Sequence, residues 1–223
     1  MECSEVDETS RDIINAASGE FFSEHRKLAL LEVVRRTTAP TGADVEAKAV
    51  ALAMLAQQDP SYLEEAISAL EQATAANAQR NWALMHLAEA FFKDSRLTEA
   101  LKLASSVDQE FFDEQDLRWR SVRMDEIRAV TLLRLGDYSQ GTSLAIQLCN
   151  ILSLQGDDED LASPADLANE ALSLTTSPDK DARSAGCTIL THLTTSIEID
   201  SWFTAEVAGR VRASMANCDD ETA

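Results

Sequence analysis

Apolar residues recur at every third or fourth position along most of this chain, and apolar and polar residues do not alternate over any long stretch. Spacings of three and four residues predict amphipathic helices, whereas strands would alternate with a period of two. The pattern therefore predicts an all-α protein. Its helices are expected near residues 10–36, 43–58, 61–76, 80–93, 96–107, 114–135, 138–155, 163–176, 178–198 and 200–216.

Cap and turn residues separate the predicted helices. Asp59-Pro60-Ser61 places a capping carboxylate and a first-turn proline before one helix. Ser163-Pro164 and Ser177-Pro178 each place a serine cap before a proline, and Gly136-Asp137 is typical of a turn. The connections are short, which predicts that consecutive helices are antiparallel.

Length and composition favour one helical domain. The chain has 223 residues, of which 5% are aromatic, with 7 glycines and 4 prolines, and this fits a β-sandwich or a disordered chain badly. We expect the domain to span residues 10–216, between a disordered acidic segment at 1–9 and a flexible tail at 217–223. The uncharged stretch from Tyr138 to Gly156 is too polar to cross a membrane and predicts a buried helix.

A sequence motif recurs along the central part of the chain. In residues 84–101, a large–small pair at Leu87 and Ala88 is followed by an aromatic residue at Phe91 and by Ala100 in the next helix. Ala66 has the position of Ala100 in an earlier, similar helix. This arrangement resembles the tetratricopeptide repeat, and the spacing from Ala66 to Ala100 matches the period of that family, about 34 residues. The resemblance is best over residues 47–152.

A third copy of the motif, residues 127–141, contains the Gly-Asp-Tyr turn typical of the repeat. It departs from the family at Arg128, at Gly141 and in its distance from Ala100, which exceeds the usual period by about two helical turns. The resemblance implies a right-handed α–α superhelix of about nine or ten antiparallel helices, a TPR-like solenoid. The alternative is an irregular helical bundle whose helices share the same apolar spacing.

The resemblance also implies a concave groove lined by the first helix of each repeat. Large aromatic, Met and Arg side chains are frequent at binding hot spots. Equally, Trp82 and Phe92 would serve to pack one repeat on the next. The implied groove residues are Trp82, Met85, Glu89, Phe92 and Lys93 from one repeat and Arg123, Glu126, Val130, Leu133 and Arg134 from the next.

The charge of the chain narrows the choice of partner. With 39 acidic and 19 basic residues, its formal net charge is −20, which argues against binding to nucleic acid or to an anionic membrane. Residues 135–209 alone contain 12 acidic and 2 basic residues. The run Asp157, Asp158, Glu159 and Asp160 lies in this part. It is either a docking surface for a basic protein or a solvated face that keeps the protein soluble.

The residues that could support chemistry are scattered. Cys3, Cys149, Cys187 and Cys218 form no C-x-x-C pair, which predicts unpaired thiols in a reducing cytoplasm. The acidic N-terminus lacks the features of a signal peptide. The three histidines stand at His25, His86 and His192, far from any metal-ligand spacing. We therefore expect no metal, no cofactor and no catalytic site.

These observations predict a protein that binds another protein. The first hypothesis is a non-enzymatic interaction module of the TPR-like type, an adaptor or scaffold that holds a protein or peptide partner. The alternative is an acidic bacterial immunity or antitoxin protein that neutralises a basic toxin such as a nuclease. A third hypothesis, an enzyme, would require a site that the sequence does not contain in recognisable form.

Overall fold

The computed structural model describes residues 24–37, 42–75, 80–114, 117–155 and 163–220. Within those ranges the chain consists of α-helices with one 3₁₀ turn and contains no β-strand, which confirms the all-α prediction. The chain forms two compact units, residues 1–96 and 97–223. The expected disordered segment at 1–9 lies outside the described residues.

The first unit is organised around its second helix. Helix α2 (Gly42–Gln58) packs against α1 (Glu24–Arg36), α3 (Leu63–Ala75) and α4 (Arg80–Lys93). A 3₁₀ turn at Pro60–Tyr62 leads into α3. The core contains Leu30 and Val33 of α1, Leu52 and Leu55 of α2, and Ala66 of α3, all of them fully buried.

The second unit contains eight helices within its described residues. They are α5 (Leu97–Ala104), α6 (Gln109–Asp113), α7 (Arg118–Arg134), α8 (Tyr138–Gln155), α9 (Ala165–Leu174), α10 (Lys180–Ser196), α11 (Ile199–Trp202) and α12 (Ala205–Asp220). The helix predicted at 114–135 corresponds to α7, which begins later, at Arg118. It is preceded by the separate short helix α6. Helix α12 extends to Asp220, into the segment 217–223 where a flexible tail was expected.

Two helical hairpins stack in this unit. Helices α7 and α8 form one hairpin, and α9 and α10 form the next. The first helices, α7 and α9, contact each other, and so do the second helices, α8 and α10. This packing is typical of repeated hairpins that share one continuous core. Helix α12 packs against both α9 and α10.

Glycines allow the two helices of each hairpin to approach closely. A Cβ atom at Gly141 would lie 2.7 Å from Cγ of Leu133, and one at Gly186 would lie 2.7 Å from the carbonyl oxygen of Ala171. Both distances are too short for a real Cβ contact. The glycine at position 141, a departure from the repeat motif, therefore permits even closer contact than the alanine usual there.

The ends of α4 and α7 have the same hydrogen-bonded turn. The amide of Arg96 donates to the carbonyl of Phe91, as the amide of Asp137 donates to that of Leu132, each at 2.9 Å. This hydrogen bond closes a six-residue turn and is typical of the Schellman motif. In that motif, the residue before the donor has a left-handed backbone conformation. Gly136 fills that position with φ +83°, and Ser95 with φ +60°.

The predicted helix caps are partly confirmed. Asp59 accepts a hydrogen bond from the amide of Ser61 at 3.0 Å, as expected. The prediction that Ser177 caps α10 is wrong, because Asp179 accepts from the amides of Asp181 and Ala182. No side-chain cap is formed by the residues before α9 either.

A disulfide joins Cys187 of α10 to Cys218 of α12, with their Cα atoms 5.6 Å apart. The expectation of unpaired thiols is therefore wrong for these two residues, which the sequence separates by 31 positions. Cys149 is free and fully buried. Burial raises the pKa of its thiol to about 12, so this cysteine packs as a small apolar residue.

Loss of the disulfide is expected to lower the free energy of unfolding by roughly 3–4 kcal/mol, because cross-linking a loop of about 30 residues restricts the unfolded chain. Urea unfolding of the wild type with and without reductant measures this difference. A Cys187→Ser, Cys218→Ser double variant should match the reduced wild type and show no response to reductant. Equal stability of the oxidised and reduced wild type would contradict the prediction.

Candidate partner-binding surfaces

The groove residues of the first unit lie on α4 and differ in exposure. Met85 and Phe92 are buried, with 2% and 5% of their surface exposed. Trp82 and Glu89 are half-buried, and Lys93 is exposed. The helical period explains the division, because Met85 and Phe92 are two turns apart and thus share one face. Only Trp82, Glu89 and Lys93 are accessible to a partner in this conformation.

A narrow recess accompanies these accessible residues. His86, Glu89 and Lys93 line it from α4, while Ala53 and Ala56 line it from α2. The ring of Trp82 stacks near that of His86, with the two ring centroids 6.4 Å apart and an interplanar angle of 24°. The recess is small, about 10 Å³, which leaves room for about one water molecule between its alanine wall and its polar wall.

The groove residues of the second unit bind the next hairpin. Arg123 of α7 forms an ion pair with Glu126 at 2.5 Å and another with Asp166 of α9 at 2.7 Å. The second carboxylate oxygen of Glu126 accepts a hydrogen bond from the amide of Leu167 at 3.0 Å. This amide lies in the first turn of α9, where backbone donors have no partner within the helix. Glu126 therefore caps α9 from the neighbouring hairpin.

Burial dominates the electrostatics of this cluster. Glu126 has only 3% of its surface exposed. Burial raises the pKa of its carboxyl above the ordinary value, and the positive charge of Arg123 opposes this shift without cancelling it. A buried carboxylate is costly unless it is paired and hydrogen-bonded. Both oxygens of Glu126 have a partner, so the cluster is a structural element and not an open binding site.

A further ion pair joins the same two helices nearer the end of α7. Arg134 contacts Glu170 of α9 at 2.7 Å, and about a third of the arginine side chain is exposed. Val130 and Leu133 are buried in the core. The groove assignment for Arg123, Glu126, Val130 and Leu133 thus conflicts with their burial or bonding. Arg123 and Glu126 bind α9, whereas Leu133 lies against Gly141 of α8. The sequence showed the acidic partners Asp166 and Glu170 but not that α9 packs against α7.

A shallow recess lies elsewhere in the second unit, where the sequence indicated no site. Its volume is about 340 Å³, and its walls come from α5, α7 and α8. Arg128 on α7 and Gln140 and Ser143 on α8 provide its polar groups. Arg128 is also paired with Asp125 at 2.8 Å. The signal in the sequence was Arg128 itself, which stands where the repeat motif has a large apolar residue.

The predicted acidic surface, Asp157 to Asp160, lies outside the described residues. The described part of the second unit has further exposed carboxylates at Asp179, Asp181, Glu198 and Glu206. Asp200, also exposed, is paired with Arg212. The acidity of this part of the chain is therefore partly neutralised on the α7–α9 side, where Asp166 and Glu170 meet arginines.

Within the described residues, no group of three or more His, Cys, Asp or Glu side chains has a geometry that could hold a metal ion. In the same ranges, no helix has both the length and the apolar character needed to cross a bilayer. Comparison with protein-family models, with curated proteins and with solved structures gives no match.

Replacing Arg123 tests the buried cluster. Arg123→Met leaves Glu126 without its charged partner, and such a loss typically costs about 3–5 kcal/mol. A folded-state pKa above the unfolded value means that the contribution of Glu126 to stability falls as pH rises through the folded pKa. Because the variant raises this pKa further, we expect it to recover part of its stability at about pH 5.5 relative to pH 8, measured by urea unfolding.

Two variants control this measurement. The double variant Arg123→Met, Glu126→Gln should lose the added pH dependence, since no carboxyl remains to titrate. Arg134→Met breaks the more exposed pair with Glu170 and should cost at most about 1 kcal/mol. If Arg123→Met and Arg134→Met destabilise the protein equally, the buried cluster does not have the importance assigned to it.

Proposed function

We propose that this protein is a non-enzymatic protein-binding module built from stacked helical hairpins, an adaptor or scaffold for a protein or peptide partner. The observation that carries the proposal is the hairpin stack of the second unit, in which first helices contact first helices and second helices contact second helices. Stacks of this kind provide extended surfaces on which other proteins bind.

The finer architecture, a right-handed TPR-like superhelix, belongs to the same proposal. Two features support it: the Schellman turn that follows both α4 and α7, and the close helix contact at Gly141. Within the hairpin stack, small residues serve the same purpose as the alanines of the repeat motif. The distance from Ala100 to Gly141 exceeds the usual period by about two helical turns, which preserves the direction in which side chains face.

The binding surface we favour is the accessible part of α4. Trp82 offers a large, partly exposed aromatic surface beside the recess, and Glu89 and Lys93 supply charges of both signs. Such a combination of contact area with directional polar atoms is common at binding hot spots. Met85, Phe92 and Arg134 are poor test positions, because their replacement would damage packing or an internal ion pair.

Charge reversal at Lys93 tests this surface without cutting into the core. In affinity capture from native lysate, with the partner identified by mass spectrometry, Lys93→Glu should weaken recovery about tenfold, equivalent to about 1.4 kcal/mol. Lys102→Glu on α5 is the matched control, since it reverses another exposed lysine. Equal recovery with Lys93→Glu and with the wild type would rule out the α4 surface.

The acidic composition favours a second candidate, an immunity or antitoxin protein of bacterial type that neutralises a basic toxin such as a nuclease. The specific observation is the excess of 12 acidic over 2 basic residues in 135–209. Complementary charge accelerates association and selects basic partners. In this version the Asp157 to Asp160 run is the docking surface and α4 is not required.

A pair of equal charge changes separates this candidate from the first. The first double variant combines Asp157→Asn with Asp158→Asn. The second combines Glu64→Gln with Glu65→Gln, at exposed positions on α3. Each double variant removes two negative charges. Under the acidic-surface hypothesis, only the first pair should weaken capture of a basic partner and reduce its salt dependence, by about fivefold in affinity at low salt. Equal effects from both pairs would indicate a response to net charge alone.

A further inference from the structure

The solvent-facing side of α8 carries no charge. None of the 18 residues of Tyr138–Gln155 is charged, although 26% of the whole chain is. The expectation of a buried helix here is wrong for one of its sides, because an exposed stripe follows the helix at spacings of three and four residues. It consists of Gln140, Ser143, Gln147, Asn150 and Leu154. Leu154 is 86% exposed.

Most of helix α10 is uncharged as well. From Ser184 to Ile197 it has no charged side chain apart from the ionisable His192. The hydroxyls of Thr188 and Thr191 donate to carbonyls one turn earlier in the helix, at 2.8 and 2.9 Å. Thr195 does the same. Because each hydroxyl already donates within its own helix, a protein that covers this surface leaves no donor unsatisfied. It would meet mainly the methyl groups of these threonines.

The stripe on α8 and the stripe of Thr188, Thr191 and Thr195 on α10 belong to helices of one layer. Along α7, Arg123, Glu126 and Arg134 contact Asp166, Leu167 and Glu170 of α9 in the same order, so α7 and α9 run in the same direction. Helices α8 and α10 are the antiparallel partners of these two and pack against each other. They therefore run side by side, on the opposite side of the hairpins from α7 and α9.

Among the described residues of α8 and α10, charged side chains lie only in the first turn of α10, and the acidic run Asp157 to Asp160 follows α8 in the sequence. Asp137 precedes α8, and Lys180, Asp181 and Arg183 occupy the first turn of α10. Arg128 borders the recess beside Gln140 and Ser143, where it is paired with Asp125. A helix of this length is about 27 Å long, and two packed helices give a face about 20 Å wide. The face therefore covers about 540 Å², about two thirds of the roughly 800 Å² that each partner buries in a standard interface.

We propose that this α8–α10 face, defined by its uncharged stripes, binds a second copy of the same chain. A twofold interface brings one patch against itself, so any net charge on the patch would meet the same charge. For a chain of net charge −20, an uncharged face is the surface on which two copies can meet without opposing carboxylates. The inference does not depend on the identity of any other partner.

Sedimentation velocity on the full-length protein tests the proposal. The wild type is expected to be a dimer at micromolar concentrations in moderate salt, and Ser143→Glu should raise the dissociation constant about tenfold or more, because like charges then face each other or a dehydrated surface. Leu154→Glu should act in the same direction. Circular dichroism and thermal unfolding confirm that each variant is folded.

Ser173→Glu is the matched control, because it places the same charge at an exposed serine on α9 in the same unit. It should leave the dissociation constant unchanged within about twofold. A wild type that remains monomeric up to millimolar concentration overturns the proposal. So does a dimer that tolerates both Ser143→Glu and Leu154→Glu, or one that Ser173→Glu weakens equally.

Discussion

The buried carboxylate of Glu126 is the constraint on which the second unit depends. A carboxylate with 3% of its surface exposed is tolerated only when both oxygens have partners. One oxygen is paired with Arg123, and the other accepts from the first turn of α9. Since both partners must be in place together, the cluster fixes where α9 begins and how the second hairpin sits on the first. Apolar packing is less specific, because a core tolerates exchanges among apolar side chains of similar volume.

This constraint explains what the sequence could and could not predict. Helix positions follow from apolar spacing, and the turn at Gly136 follows from residue type, because both are local properties. Ser95 adopts the same left-handed conformation without being a glycine, so no local signal identified it. The roles of Arg123 and Glu126 depend on α9, which follows only after the whole of α8. A polar residue on a first helix looks the same in sequence whether it faces a groove or caps its neighbour.

The pairing of Cys187 with Cys218 escaped prediction for the same reason. Each cysteine lies in a helix, 31 positions apart, and only the packing of α12 on α10 brings them together. Helix α12 contacts both helices of the last hairpin, so the disulfide attaches a covering element to a hairpin that Glu126 has already positioned. The Glu126 cluster thus stabilises the contact between the two hairpins. The disulfide stabilises the contact between the second hairpin and α12.

Charge in the described part of the second unit is distributed unevenly between the two helical layers. Arg123, Arg134, Asp166 and Glu170 pair with one another on the α7–α9 side, whereas the exposed stripes of α8 and α10 have no charge. Salt is therefore expected to change the affinities of the two proposed contacts in opposite directions. Screening weakens attraction between exposed carboxylates and a basic protein. The same screening reduces the repulsion between two copies of a chain with net charge −20, so the proposed contact through the uncharged stripes is expected to grow stronger under the conditions that weaken a charge-driven complex.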